Sequence, residues 1–175
     1  MLKTEELKLV SEWDKTFPQS EKVDHKKVIF VNRYGITLAA DLYKPKNASG
    51  KYPAIAVSGP FGAVKEQCSG LYAQTMAERG YLTIAFDPSF TGESGGYPRF
   101  MASPDINTED FMAAVDFLSV REDVDPDKIG IIGICGWGGM ALNAAALDTR
   151  IKATVASTMY DMTRAVSYTH LTLPT

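Results

Sequence analysis

A glycine-rich turn at residues 133–139 constrains the fold of this 175-residue chain more than any other segment. Its sequence, GICGWGG, follows an apolar run at residues 128–132 and precedes an Ala-rich helical stretch at residues 140–147. Glycines let a strand turn sharply into a helix, and the central side chain then stands above the end of a sheet, where a nucleophile can meet substrate. The central residue is Cys135, so the turn predicts a thiol nucleophile on an α/β fold.

The position of Cys135 also bears on its reactivity. A thiolate at the start of a helix lies near the positive end of the helix dipole, which favours the charged, nucleophilic form. The alternative is that Cys135 is an inert, buried small residue in a tight turn. Cys68 has no comparable setting, and we expect it to be an unreactive thiol before a helix.

Alternating apolar strands and amphipathic helices fill the rest of the chain. This pattern predicts an α/β fold with a mostly parallel, doubly wound sheet and an antiparallel N-terminal hairpin. The hairpin strands are predicted at residues 28–31 and 36–43, the other strands at residues 54–57, 81–86, 128–132 and 153–157, and the helices at residues 69–79, 109–119 and 138–147. The NRYG sequence between the first two strands suits a hairpin turn.

The domain organisation follows from the same pattern. Apolar side chains at helical spacing in residues 4–17 predict an amphipathic helix, so residues 1–22 form an N-terminal helical extension. Residues 23–165 form the core. Residues 166–175 show no periodicity that would complete a sheet, and we interpret them as a non-native tail.

Composition excludes several function classes. With 45% hydrophobic residues the chain can bury the core of one globular domain. The formal net charge of −3 gives no electrostatic footprint for nucleic acid or an anionic membrane, and neither is expected as a partner. No apolar stretch is long enough for a membrane span or a secretion signal. Two cysteines are too few for a disulfide framework, so we predict free thiols in a cytoplasmic protein.

Three segments resemble the corresponding segments of α/β-hydrolases, particularly of proteins similar to dienelactone hydrolases. They are the GPFG loop at residues 59–62, the DPSFTGES loop at residues 87–94 and the turn at residues 133–139. The resemblance spans about residues 23–164. It departs from the family pattern at Gly59, where relatives often carry His or an acidic residue.

The resemblance implies a mechanism and a set of site residues. In this family the nucleophile attacks an ester, thioester or lactone carbonyl while two backbone N–H groups stabilise the oxyanion. By position the nucleophile is Cys135, the donors are Gly136 and Phe61, and the partner is a small-molecule acyl substrate. Trp137 either lines the acyl pocket, as a substrate-binding residue, or packs under the helix. No metal or organic cofactor is expected, because the chemistry needs only a nucleophile, a base and oriented donors.

Three other polar residues have simpler interpretations. Asp87, at the end of a predicted strand, orders the following loop through side-chain hydrogen bonds. Glu66 borders the expected pocket but is interpreted as a solvated charge. His25 precedes the first strand and is interpreted as a surface residue.

The catalytic base is the missing part of this machinery. Hydrolases of this fold present nucleophile, acid and histidine in that chain order, and after Cys135 the only histidine is His170. It lies in residues 167–175, which look like a translated sequencing adapter. The chain is therefore interpreted as an N-terminal fragment whose C-terminal strands, acid and histidine are missing, with an apolar edge at residues 153–157. Asp148 and Asp161 are interpreted as loop or helix-end carboxylates.

Two alternatives stand beside the hydrolase. Without a base, the chain as given could be an inactive fragment or a non-catalytic scaffold. A strand, a glycine-rich turn and a helix also describe a dinucleotide-binding module, although Cys135 occupies the middle glycine position and no acidic residue ends the next strand. The oligomeric state and the identity of the substrate are left open.

Overall fold

The computed structural model describes residues 5–46 and 50–159, which form a six-stranded sheet flanked by helices. In chain order the elements are β1 (Val23–Val31), β2 (Thr37–Pro45), β3 (Tyr52–Ser58), α1 (Cys68–Ala77), β4 (Leu82–Phe86), α2 (Pro104–Ser119), β5 (Val124–Ile134), α3 (Gly136–Leu147) and β6 (Ile151–Ser157). The strand order is β1-β2-β4-β3-β5-β6. Strands β4, β3, β5 and β6 are parallel to one another, whereas β2 is antiparallel to both of its neighbours, β1 and β4. The predicted α/β fold with an N-terminal hairpin is confirmed.

The sheet has a hydrophobic core on each face because successive side chains of a strand point in opposite directions. On β5, Ile129 and Ile131 pack in the core beneath α2 and α3, whereas Ile132 and Ile134 pack in the core beneath α1. Helices therefore cover both faces. Burying an isoleucine side chain contributes roughly 1.5–3 kcal/mol, so this alternation on the central strands is a main source of stability.

The order of the central strands places a crevice next to the predicted nucleophile. From β3 the chain passes through α1 to β4 on one side, and from β4 it returns through α2 to β5 on the other side of β3. The loops that follow β3 and β5 therefore diverge at the carboxyl ends of neighbouring strands. Open α/β sheets bind ligands at this kind of switch point.

Asp110 on α2 fixes the loop that follows β4. Its buried carboxylate accepts hydrogen bonds from the Nδ2 groups of Asn32 and Asn107, at 2.8 and 3.0 Å. It also accepts the N–H of Ser89 at 2.8 Å and the Ser89 hydroxyl at 2.7 Å. This single carboxylate thus ties the hairpin turn, the β4–α2 loop and α2 together.

The predicted N-terminal helix is wrong for the part of it that the structure describes. Residues 5–20 contain no helix. Tertiary contacts hold this N-terminal segment instead: the Thr16 N–H donates to the Glu66 carbonyl oxygen at 2.9 Å, and the fully buried Lys15 ammonium lies 3.0 Å from Asp41. An extended chain lets Lys15 reach the buried carboxylate of Asp41. Helical periodicity in the sequence gives no information on such a long-range contact, which here outweighs the local preference for a helix.

Strand β6 lies at the edge of the described sheet, as the sequence predicts. Val155 at its centre is 52% exposed. A groove of about 450 Å³ beside it is lined by apolar residues of β3, β5, β6 and α1, including Ile55, Met76 and Ile131. Cys135 does not line this groove.

Candidate active site

Cys135 occupies the turn between β5 and α3 in a conformation that side chains rarely adopt. Its φ is 58° and its ψ is −126°, and such a backbone costs of order 1–3 kcal/mol for a residue other than glycine. Its N–H donates to the carbonyl oxygen of Ser157 on β6 at 2.8 Å, and its own carbonyl accepts the Gly138 N–H at 3.0 Å. Cys135 is half-buried, whereas Ile134 before it is buried. The strand-to-helix turn expected from the sequence is present.

Gly133 lets β5 pack closely against the start of α3, and Gly59 lets the loop after β3 approach the Cys135 turn closely. A Cβ on Gly133 would lie 2.2 Å from the carbonyl oxygen of Trp137, and a Cβ on Gly59 would lie 2.3 Å from the carbonyl oxygen of Ile134. Gly59 also has a φ of 100°. The departure from the family pattern at Gly59 therefore has a physical reason: a side chain here would push the loop away from the Cys135 turn.

Two backbone N–H groups near this turn have no acceptor among the residues that the structure describes. Gly136 is the first residue of α3, and the N–H groups in the first turn of a helix have no partner within the helix. The Phe61 N–H has no acceptor among the residues that the structure describes. The loops that carry them follow β3 and β5, which are adjacent in the sheet. The structure thus brings Phe61, Gly136 and Cys135 to one end of the sheet, and their chemical roles stay predictions.

Trp137 packs under the helix, the second of its two expected positions. It is 2% exposed and belongs to the core beneath α2 and α3. Its ring centroid lies 5.5 Å from that of Phe61, so it supports the loop after β3. Within the described part of the chain its indole N–H has no acceptor. A contact between Trp137 and substrate stays a prediction.

Cys68, the first residue of α1, packs against the same hydrophobic core as Cys135, which the sequence did not predict. Its Sγ lies 3.8 Å from the carbonyl oxygen of Gly59. Burial raises the pKa of the Cys68 thiol, and a charge on Cys135 raises it further. The protonated thiol is the weaker nucleophile, in agreement with the expected structural role of Cys68.

A dense group of charged side chains fills the space between the N-terminal segment, the β1–β2 hairpin and the loops after β3 and β4. This ionic cluster comprises Asp14, Lys15, His25, Lys27, Asp41, Lys65, Glu66, Asp87 and Glu93. The side chains of Lys15, Asp41, Lys65 and Asp87 are fully buried. Buried charges persist only when they are paired, and the lysines supply the pairing. Three carboxylates of the cluster lie within 4.8 Å of one another, but Lys27 already bridges them.

Two members of the ionic cluster overturn interpretations from the sequence. His25 is not a surface residue: its side chain is 13% exposed, lies 2.7 Å from an Asp41 oxygen and contacts the rings of Trp13 and Tyr43. Glu66 is not a solvated charge, because its side chain is 13% exposed and lies 2.5 Å from the Lys65 ammonium. His25 is covered by Trp13 of the N-terminal segment, and Glu66 reaches Lys27 of the hairpin; both contacts exist only in the folded chain.

Asp87 orders the loop after β4, as expected, and also binds Lys65, which the sequence did not single out. One carboxylate oxygen accepts the Lys65 N–H at 2.8 Å; the other accepts the Lys65 ammonium and the Glu93 N–H, each at 2.9 Å. Burial raises the pKa of Asp87 and Lys65 opposes that rise. We treat Asp87 as ionised, because these three donors favour the carboxylate. Burial alone would lower the pKa of Lys65, but Asp87, Glu66 and Glu93 raise it well above its usual range.

No histidine contacts Cys135 within the described ranges. His25 belongs to the ionic cluster, while His170, Asp161 and the tail at residues 166–175 lie outside the described residues. Asp148 ends α3 and pairs with Arg150 at 2.6 Å, so it is the helix-end carboxylate that the sequence predicts. Among the described residues, no histidine therefore stands beside Cys135, Phe61 and Gly136 as a base.

Comparison with known proteins assigns the family. A family model described as X-Pro dipeptidyl-peptidase (S15 family) matches residues 34–172. The chain belongs to this family. This S15-family chain is 72% identical over 163 residues to protein PA2218 of Pseudomonas aeruginosa, an alignment that covers 93% of this chain and 44% of PA2218. The crystal structure of PA2218 matches with a TM-score of 0.92 at 71% identity, covering 94% of this chain and 51% of that chain.

More distant relatives of the S15-family chain carry hydrolase names. It is 33% identical over 137 residues to thiohydrolase aneE of Aspergillus aculeatus, covering 78% of this chain and 42% of that protein. The α/β hydrolase GrgF of a Penicillium species matches at 29% identity with a TM-score of 0.70, covering 75% of this chain and 44% of that one. A putative dienelactone hydrolase of Klebsiella pneumoniae shares the fold at 24% identity and a TM-score of 0.66, covering 78% and 60%.

These comparisons confirm the resemblance to α/β-hydrolases that the sequence motifs indicated. The chain spans less than half the length of PA2218 and of aneE. In the described part of the chain, no helix combines the length and the apolar character that crossing a bilayer requires.

Proposed function

We propose that this chain carries the nucleophile half of a hydrolase that cleaves an ester, thioester or lactone bond of a small acyl substrate. The observation that carries the proposal is the turn at Cys135, where a half-buried thiol has a φ of 58° at the same end of the sheet as the N–H groups of Phe61 and Gly136, which have no acceptor among the described residues. Backbone strain of this kind clusters at functional sites, where it holds a reacting group in place.

The reaction divides into two steps. The Cys135 thiolate attacks the substrate carbonyl carbon, and the oxyanion that forms accepts hydrogen bonds from the N–H groups of Phe61 and Gly136. The tetrahedral intermediate collapses to an acyl-Cys135 thioester, and the alcohol or thiol leaves with a proton. Water then attacks the thioester, which releases the acid and restores the thiol.

Turnover needs a base to take the proton of Cys135 and of the attacking water. We propose that the base and its acid belong to the additional length that relatives such as PA2218 have, so that only a longer protein turns over. The thiohydrolase name of aneE supports a thioester as substrate, whereas the description of the S15 family model favours a peptide. The alternative, an inactive fragment or scaffold, differs by predicting no selective acylation of Cys135.

Acylation of the chain by p-nitrophenyl acetate, followed by intact-protein mass spectrometry, tests the proposal. We expect the acetyl group on Cys135, formed at least about 10-fold faster than on Cys68. The Cys68→Ser variant should keep this reaction and the Cys135→Ser variant should lose it. Equal labelling of the two thiols, or faster labelling of Cys68, contradicts the proposal.

Turnover is tested in a form of the protein as long as its relatives, with acetyl and longer acyl thioesters as substrates. We expect kcat/KM to fall by at least about 100-fold in Cys135→Ser, since a hydroxyl replaces the thiol at a site built for thiolate attack. The Cys68→Ser variant is the matched control and should retain the activity. Activity that survives Cys135→Ser would rule out the covalent route.

A further inference from the structure

We propose that Lys65, through its buried contacts with Asp87, is a positioning residue that holds the Phe61 N–H in place beside Cys135. The inference rests on the proposed function, because it assigns Lys65 a task in stabilising the oxyanion. Lys65 lies four residues after Phe61 in the loop that joins β3 to α1. It contacts neither Cys135 nor Phe61 through the hydrogen bonds and ion pairs that the described residues form.

Lys65 is anchored at two points by one carboxylate. Asp87 accepts both its backbone N–H at 2.8 Å and its ammonium group at 2.9 Å, using a different oxygen for each. The ammonium also donates to Glu93 at 2.7 Å and to Glu66 at 2.5 Å. The side chains of Lys65 and Asp87 are fully buried. Contacts to both ends of one residue fix the path of the main chain as well as the side chain.

The anchor is rigid on the β4 side. Asp87 follows β4 directly and also accepts the Glu93 N–H at 2.9 Å, so the loop after β4 wraps around its carboxylate. A Cβ on Gly92 would lie 2.2 Å from an Asp87 oxygen, which shows how closely that loop approaches. The Lys65 loop is therefore tied to a fixed point at the end of a central strand.

The rest of the loop after β3 has few restraints of comparable strength. Phe61 is 46% exposed, and its ring packs on Trp137 at a centroid distance of 5.5 Å. A turn joins the Ala63 N–H to the Pro60 carbonyl oxygen at 3.1 Å, and Gly59 lies against Ile134 at the start of the loop. Phe61 thus lies between two fixed ends, the close approach at Gly59 and the buried Lys65 anchor.

The rate of acylation depends on the exact position of the Phe61 N–H. An oxyanion donor acts only at hydrogen-bond distance from the developing charge, and removal of one donor lowers the rate about 100- to 1,000-fold. A misplacement of about 1 Å has effects of the order of 100-fold. Loss of the Lys65 anchor should therefore slow acylation of Cys135 without changing the thiol itself.

Two reagents separate these effects in the 175-residue chain. Acylation by p-nitrophenyl acetate passes through an oxyanion, whereas alkylation by iodoacetamide displaces iodide and forms none. The ratio of the two rate constants at Cys135, relative to the same ratio for free glutathione, measures the contribution of the oxyanion donors. In Lys65→Met we expect this ratio to fall about 10- to 100-fold while the alkylation rate stays within about 2-fold.

The matched control is Lys128→Met. The Lys128 side chain is 68% exposed and pairs with Asp125 at the other end of β5, so this variant should keep both rates. Because Lys65→Met leaves Asp87 buried without its partner, the double variant Lys65→Met/Asp87→Asn and the milder Glu93→Gln are measured as well. In each folded variant the ratio should fall, least in Glu93→Gln.

The outcomes distinguish a failure of the proposed function from a failure of the role assigned to Lys65. If the wild-type ratio does not exceed that of glutathione, the proposed function fails and the assignment to Lys65 fails with it. If the wild-type ratio is high and the folded Lys65 variants keep it, only the positioning role is overturned. If acylation and alkylation fall together, Lys65 has a general structural role and the inference is wrong.

Discussion

The substitution Gly59→Ala tests how the loop after β3 is held against the Cys135 turn. At this position an added Cβ would lie 2.3 Å from the carbonyl oxygen of Ile134 and 3.0 Å from the Cβ of Trp137. The first neighbour is backbone, which cannot move aside without displacing β5. Gly59 also has a φ of 100°, which an alanine adopts with strain.

Gly62→Ala separates the two contributions. Gly62 lies in the same loop with a φ of 77°, but nothing lies within 4 Å of an added Cβ. Its substitution should lower the free energy of unfolding by about 1–2 kcal/mol, from the left-handed backbone alone. Gly59→Ala adds the steric overlap, and overpacking contributes about 1–3 kcal/mol more. We therefore expect a total loss of about 2–5 kcal/mol for Gly59→Ala.

Urea denaturation followed by circular dichroism gives both free energies of unfolding. For a chain of this size each kcal/mol corresponds to a melting temperature lower by roughly 2–4 °C, which provides an independent check. The acylation rate of Cys135 should also fall in Gly59→Ala, because the loop that carries Phe61 is displaced. Equal losses of stability in Gly59→Ala and Gly62→Ala would refute the steric argument.

Further predictions concern the core and the buried carboxylates. Ile131→Ala should lower the free energy of unfolding by about 2–5 kcal/mol in urea denaturation, because Ile131 is 1% exposed; Ile29→Ala, at a site 40% exposed, should have less than half that effect. Asp110→Ala should destabilise by about 3 kcal/mol or more, since it leaves buried donors unpaired; equal destabilisation by the exposed Asp116→Ala would contradict this. Lys15 and Lys27, against the effect of burial, lower the pKa of Asp14 to about 2. Its stabilising contribution is then complete above about pH 5 and is lost progressively as the pH falls from about 5 through about 2. Asp14→Asn should flatten the stability profile in that interval, and an unchanged slope would exclude the pairing.

The central sheet could be predicted from the sequence because its signals are local. Apolar runs with β-branched residues, separated by helical stretches and glycines, place every strand within a few residues of its observed position. The turn at residues 133–139 was also predictable, since its glycines and its position between a strand and a helix are visible in the sequence.

The ionic cluster could not be predicted, because its members meet only through tertiary structure. Residues 4–17 have helical periodicity, yet the structure uses Lys15 to pair the buried Asp41, and that long-range contact outweighs a weak helical preference. In the sequence Lys65 is one of several polar residues in a loop, and only the fold brings it to Asp87 at the end of β4. Charges that face each other across four segments of the chain leave no periodic signal in the sequence.

The backbone conformation at Cys135 creates a conflict between stability and the proposed chemistry of the thiol. A φ of 58° with a ψ of −126° suits glycine, so the residue that we propose as the nucleophile is also one that adopts this backbone conformation with strain. Replacing Cys135 by glycine should relieve strain of order 1–3 kcal/mol while removing the proposed nucleophile. The most stable version of this turn is one that has lost the reactive group, a trade-off between robustness and activity located at a single residue.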